Sequence, residues 1–193
     1  MLREEIYYFE EPGPENTDQC IELAKKRVTE LGLRHVVVAT STGETALKVR
    51  RVFEGMNTNI VAVTLHAGRW LDYGPPDHAK LEELRKSRVQ VLTGTHALMG
   101  SVDTAIKKNF GGLPPTEIIA RTLYFFGQGM KVCVEITLMA ADAGLIPLFE
   151  EVLAIAGTDV GADTAVVLKS TPTDKVFELE VREITCMPRI KKM

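Results

Sequence analysis

The hydrophobic pattern begins with two short runs that lack charged residues, Val36-Val37-Val38-Ala39 and Ile60-Val61-Ala62-Val63-Thr64-Leu65. A strand covered on both faces shows such continuous apolar character rather than alternation. Between them, Glu44 to Gly55 reads as a helix with Ala46, Val49 and Phe53 on its inner face. Ahead of them, Asn16 or Thr17 caps a helix that runs to Leu31 and stops at Gly32, with Ile21, Ala24, Val28 and Leu31 at helical spacing. Further on, Asp77 to Lys86 predicts a helix that turns Leu81 and Leu84 inward, and Val89 to Leu92 a third strand. Leu98, Val102, Ile106 and Phe110 stand four apart, which predicts a helix or helical turns. Gly111 to Pro115 breaks that segment, and Thr116 opens a helix to Phe126.

Lys131 to Ile136 reads as a fourth buried strand, with a helical stretch behind it to Ala143. Pro147 opens a further helix, Leu148 to Ala156. Thr164 to Leu168 and Val176 to Ile184 close the pattern as two strands, the second alternating like a half-exposed antiparallel edge. Ile6 to Phe9 fits a short edge strand or a docked arm. Strands that alternate with helices imply an α/β fold of three layers: a mostly parallel sheet, helices on both faces, and an antiparallel C-terminal edge strand. No repeat or low-complexity linker divides residues 1–193, so one domain is expected.

In such folds ligands bind outside the carboxyl ends of the strands. Four strand ends are polar or Gly-rich: Thr40 to Gly43, His66 to Gly68, Thr93 to His96, and Glu135 to Thr137. The first is the most specific. A tight turn from strand to helix leaves the first N–H groups of the helix unpaired, and Thr40, Ser41, Thr42 and Gly43 let an anion approach them. An ordinary capping turn would use the same residue types. His66 and His96 suit hydrogen bonding or proton transfer, or simply pack. Glu135, in an apolar run, requires a ligand, Arg121 or a backbone partner. Trp70 and Tyr73 mark a loop that forms a lid, a contact between copies, or a cover for the core.

Composition narrows the class. A net charge of −3 gives no electrostatic footprint for nucleic acid. No apolar run reaches the ~18–20 residues of a membrane span. Met1 to Glu5 is acidic and unlike a secretory leader, and Cys20, Cys133 and Cys186 have no metal-like spacing. A reduced, cytoplasmic protein without a metal site is expected; a homo-oligomer is left open.

At Thr40-Ser41-Thr42-Gly43-Glu44-Thr45-Ala46 the chain resembles the C-terminal α/β domain of pyruvate kinase, whose pattern is close to Thr-x-Ser-Gly-x-Thr-Ala after a valine-rich strand. Leu31-Gly32 before that strand and Ile60 to Thr64 after it match the same order. The chain looks most like the stand-alone, mostly archaeal proteins built on this domain, which are associated with bound flavin mononucleotide (FMN). The resemblance implies a phosphorylated small molecule, FMN, held by Thr40, Ser41, Thr42, Gly43 and Thr45. His66, Gly68, Thr95, His96 and Glu135 would surround the rest of it. No catalytic residue is implied, and a chain of 193 residues has no room for the kinase barrel, so pyruvate kinase activity is not expected. The alternatives are a non-catalytic sensor of a sugar or nucleotide phosphate and a phosphate-ester enzyme using His66 or His96. Glu44 stands where many relatives carry a basic or neutral residue, and suits a phosphate only if it points away.

Overall fold

The structure is a computed structural model that describes residue 1 and residues 3–191. Among these, seven strands form one sheet in the order β1-β7-β6-β5-β2-β3-β4. They are β1 (Tyr7–Phe9), β2 (His35–Ala39), β3 (Asn59–Thr64), β4 (Gln90–Thr93), β5 (Glu151–Ala156), β6 (Thr164–Lys169) and β7 (Glu180–Pro188). Pairing is parallel for β2–β3, β3–β4, β2–β5 and β1–β7, and antiparallel for β5–β6 and β6–β7. The sheet is therefore mostly parallel, with antiparallel pairing at its C-terminal side.

Helices α1 (Thr17–Leu31), α2 (Glu44–Val52) and α4 (His78–Lys86) cover one face with Ile21, Ala24, Val28, Ala46, Val49, Phe53, Leu81 and Leu84. They pack on Val36, Val38, Ala62, Leu153 and Ile155. Helix α7 (Gln128–Asp142), with α6 (Pro115–Leu123) outside it, covers the other face through Met130, Cys133, Val134 and Ile136. There the strands contribute Val37, Val61, Val63, Val152, Ala154 and Ala156. Alternate residues of each strand thus feed opposite cores, which is why these runs carry no polar side.

Three assignments from the pattern are corrected. Lys131–Ile136 is not a strand but the middle of α7. Twelve of the fifteen residues of α7 are buried, so no polar face breaks the run into a helical period. Leu148–Ala156 is not a helix: after an irregular turn, Glu151–Ala156 is strand β5, paired with β2 and β6 and buried from Val152 to Ala156. The alternation at Val176–Val181 belongs partly to a 3-10 turn over Thr173–Glu178, and β7 starts at Glu180. Leu31, expected inward, is 37% exposed.

Gly129 lets α7 sit down on the sheet. A β-carbon at this position would land on the Oγ1 and Cβ of Thr164 and 3.0 Å from an Asp163 carboxylate oxygen. Gly→Ala normally strengthens a helix. Here Gly129→Ala should instead lower stability by about 1–3 kcal/mol through overpacking, read as a fall in the urea midpoint.

Candidate functional site

Between β2 and β5 the chain reverses its direction of travel across the sheet. From β2 it moves outward through β3 to β4, then returns to β5 and continues through β6 to β7 on the other side. Parallel neighbours whose connections leave in opposite directions open a crevice at their carboxyl ends. A cavity of about 510 Å³ lies there, within the ordinary range of about 300–1,000 Å³ for small-molecule sites.

One end of the cavity is the turn after β2. Thr40 N–H donates to Val63 O at 2.9 Å, which ends the strand, and Gly43 N–H donates to Thr40 Oγ1 at 3.0 Å. Gly43 adopts φ 100°, and a β-carbon there would lie 2.9 Å from Lys80 Cβ, so glycine suits both the turn and the close approach of α4. The first turn of α2 presents its N–H groups beside Ser41, Thr42 and Thr45, which line the cavity with Thr40. Glu44 also lines the cavity, with its carboxylate 2.5 Å from Lys80 Nζ, which offsets its charge; that bond holds the carboxyl below its usual range. Lys48 and Arg69 add positive charge to the lining, Lys48 bonded to Asp18 and Arg69 to Asp72 and Tyr73.

The wall on the α7 side is apolar with a buried ionic centre. Val63, Leu65, Met99, Val132, Ile136 and Met139 supply the apolar surface. Lys131 and Glu135 lie one turn apart on α7, their side chains 7% and 5% exposed, with Nζ 2.5 Å from Oε2. The other carboxylate oxygen accepts N–H bonds from Leu98 at 2.9 Å and Met99 at 3.0 Å. Glu135 thus pins the connection after β4, and its expected partner Arg121 bonds Glu117 instead. His96, also lining the cavity, meets His66 edge to face at 4.8 Å between ring centroids. Burial pushes the His96 imidazole below its usual 6.5; Glu135 opposes that shift, while His66, Lys131 and Arg69 reinforce it.

Of the ten residues expected around the ligand, the structure gathers Thr40, Ser41, Thr42, Thr45, His96 and Glu135 on the cavity surface. Gly43 stands behind the turn as a backbone support. His66 packs against His96 with its Nε2 buried and without a hydrogen-bond partner. Gly68 and Thr95 are exposed and outside the lining. Glu135 arrives from a helix, not from a strand end. Trp70, in the short helix α3 (Trp70–Tyr73), donates from Nε1 to Leu65 O at 2.9 Å and covers the end of β3, whereas Tyr73 lines the cavity.

The sequence reading missed the loop after β5, where Gly157, Asp159, Val160 and Gly161 close the cavity opposite α2, together with Pro14 and Thr17. Two glycines flanking Thr-Asp-Val are the available signal, masked because the pattern at β5 reads as a helix. Lys131, four residues before Glu135, was readable as its partner only on a helix. Among the described residues, no cluster of three or more His, Cys, Asp or Glu side chains is arranged to hold a metal ion, and no helix is long and apolar enough to cross a membrane. A larger cleft of about 840 Å³ lies between residues 3–7, α1 and β7. Of the guanidiniums lining it, Arg27 is taken by Glu183, Glu30 and Glu4, and Arg182 by Glu151 and Glu180.

Lys131→Met should cost about 3–5 kcal/mol in urea denaturation, because it leaves a buried carboxylate without its cation. Adding Glu135→Gln should restore part of the loss. His96 should titrate below 6.5 by NMR. Since the folded state then binds its proton later than the unfolded chain, stability should fall as pH drops from 6.5 through the folded value. His96→Gln should flatten that part of the profile.

The family model described as pyruvate kinase, alpha/beta domain, matches residues 18–168. Among solved structures, a pyruvate kinase from Cryptosporidium parvum is similar at 14% identity and a TM-score of 0.42, with 80% of this chain and 22% of that one covered. A Cryptosporidium parvum pyruvate kinase in complex with ADP is similar at 15% identity and a TM-score of 0.40, with 78% and 22% covered. The chain thus spans about a fifth of the length of these enzymes.

Proposed function

The chain belongs to the pyruvate kinase α/β domain family, and from that premise we propose that it binds a phosphorylated small molecule, FMN, in the crevice between β2 and β5. One observation carries the reading: the N-terminus of α2, bordered by Thr40, Ser41, Thr42 and Thr45, opens into a cavity whose remaining walls are largely apolar. A helix N-terminus with small hydroxyl neighbours favours a phosphate dianion. The apolar walls, with His96 and Tyr124 among the lining, suit a flat ring system with polar edges.

In this reading Ser41, Thr42 and the first N–H groups of α2 take the phosphate, while Lys48 and Arg69 raise the local positive potential. Tyr124, its hydroxyl donating to Met99 Sδ at 3.8 Å, and Ile136 border the ring system. His96, held neutral, offers one donor and one acceptor to the ring edge. Bound FMN supplies a two-electron redox centre; the protein's part is to orient it and limit its exposure to water.

A second reading, a non-catalytic sensor of a phosphorylated metabolite, draws on the state of Glu135. Three donors already occupy that carboxylate, which leaves it poorly placed as a general base. Reduction of the bound flavin by a nicotinamide cofactor separates the two: a redox enzyme shows it and a sensor does not.

The protein should purify yellow or quench added FMN fluorescence, and should bind riboflavin far more weakly because the phosphate is missing. Thr42→Glu should weaken FMN binding by at least about tenfold, 1.4 kcal/mol. The folded protein should tolerate this change, since Thr42 is exposed and a carboxylate is favourable at a helix N-terminus. Equal affinity for FMN and riboflavin, or an unaffected variant, would remove the phosphate site. A thermal shift with sugar or nucleotide phosphates but not with FMN would favour the sensor.

A further inference from the structure

Helix α5 (Val102–Phe110) buries none of its nine residues. Val102, Ile106 and Phe110 share one face and are 74%, 52% and 85% exposed. Of the four residues at this spacing only Leu98, ahead of the helix, reaches the core. A nine-residue helix is shorter than the ~12–15 residues at which isolated helices become marginal in water. Its ties to the rest of the fold are polar. Asp103 accepts from Ser101 and Thr116, Lys107 donates to Glu117 at 2.7 Å, and Gly100 N–H donates to Thr104 Oγ1 at 3.0 Å. These bonds hold α5 beside α6 without covering its apolar stripe. Leu113 and Ile118, in the following turn and on α6, are also half exposed.

We propose that this stripe is where two copies of the chain pair, with α5 antiparallel to the partner's α5 about a two-fold axis through Ile106. The spacing is self-complementary. With Ile106 on the axis, Val102 meets the partner's Phe110, a small side chain against a large one, and the reverse contact repeats it. Charge agrees with this orientation: the first turn of α5 carries Asp103, which also accepts from Ser101 and Thr116, and the last turn carries Lys108 beside Lys107, which is paired with Glu117. Antiparallel docking sets each basic end beside the other acidic end and opposes the helix dipoles. Area agrees as well. An aromatic side chain contributes about 150 Å² or more, so Phe110 with Val102, Ile106, Leu113 and Ile118 exposes roughly 500 Å². That is close to the apolar share of a standard interface of about 800 Å² per partner.

Pairing would also brace the candidate site. Met99, Gly100 and Thr104 line its cavity and lead into or belong to α5.

Light scattering and sedimentation should give the wild-type chain twice its mass of 21.3 kDa, or a higher even multiple, at micromolar concentration. Ile106→Glu should halve that mass with an unchanged far-UV spectrum. Ile106→Cys, which places one thiol on each side of the axis, should form an interchain disulfide when diamide removes two electrons and two protons. The native cysteines are buried, and Leu71→Cys, exposed but off the axis, should form none. A wild-type protein at single-chain mass overturns the proposal, including one that binds lipid vesicles through this stripe. So does an assembly whose mass survives Ile106→Glu, or Ile106→Cys that stays uncrosslinked.

Discussion

The parallel pairing of Val36–Val38 with Leu153–Ile155 is the constraint on which the rest of the molecule depends. These strands are far apart in the chain and buried on both faces, so neither has a stable place except beside the other at the centre of the sheet. Their adjacency requires the intervening segments to travel outward through β3 and β4 and back through α5, α6 and α7. The same adjacency brings the turn after β2 and the loop after β5 to one edge. The crevice is thus a consequence of strand order, and side chains only decide what it can hold.

A second dependency runs through one carboxylate. Glu135 is nearly excluded from water, which is costly unless every acceptor site is used. Lys131 and the N–H groups of Leu98 and Met99 meet that requirement. In doing so they fasten the connection after β4 to the middle of α7. His96 lies on that connection and α5 follows it. The α7 wall of the cavity and the orientation of the exposed stripe on α5 therefore share one anchor, and that anchor lies in the core.

Legibility in the sequence followed exposure. Helices α1, α2 and α4 each show water one face, so their periods could be read, as could the stop of α1 at Gly32 in the left-handed region. Asn16 precedes α1 without a side-chain cap bond, and the one side-chain cap among the three, Asp77 accepting from the N–H groups of Ala79 and Lys80, went unread. Helix α7 shows almost no face to water and mimicked a strand. Strand β5 follows Pro147 and a Leu-Phe-Glu-Glu stretch that imitates a helix start. That exchange hid the loop at Gly157–Gly161. Glu135 was singled out correctly as a buried carboxylate needing partners, although its place at a strand end was wrong. The spacing of Val102, Ile106 and Phe110 reads as helical, and these residues form α5.

By itself the sequence determined the α/β class, the amphipathic helices and the strand-to-helix turn at Thr40–Gly43, since each depends on residues within one or two turns of chain. Tertiary structure decided the pairing of β2 with β5, the helical state of Lys131–Ile136, the partners of Glu44 and Glu135, and which apolar faces stay uncovered. The physical reason is the same in each case. Burial and charge pairing depend on groups brought together from distant parts of the chain, and where both faces of an element are buried, no local alternation records which neighbours cover it.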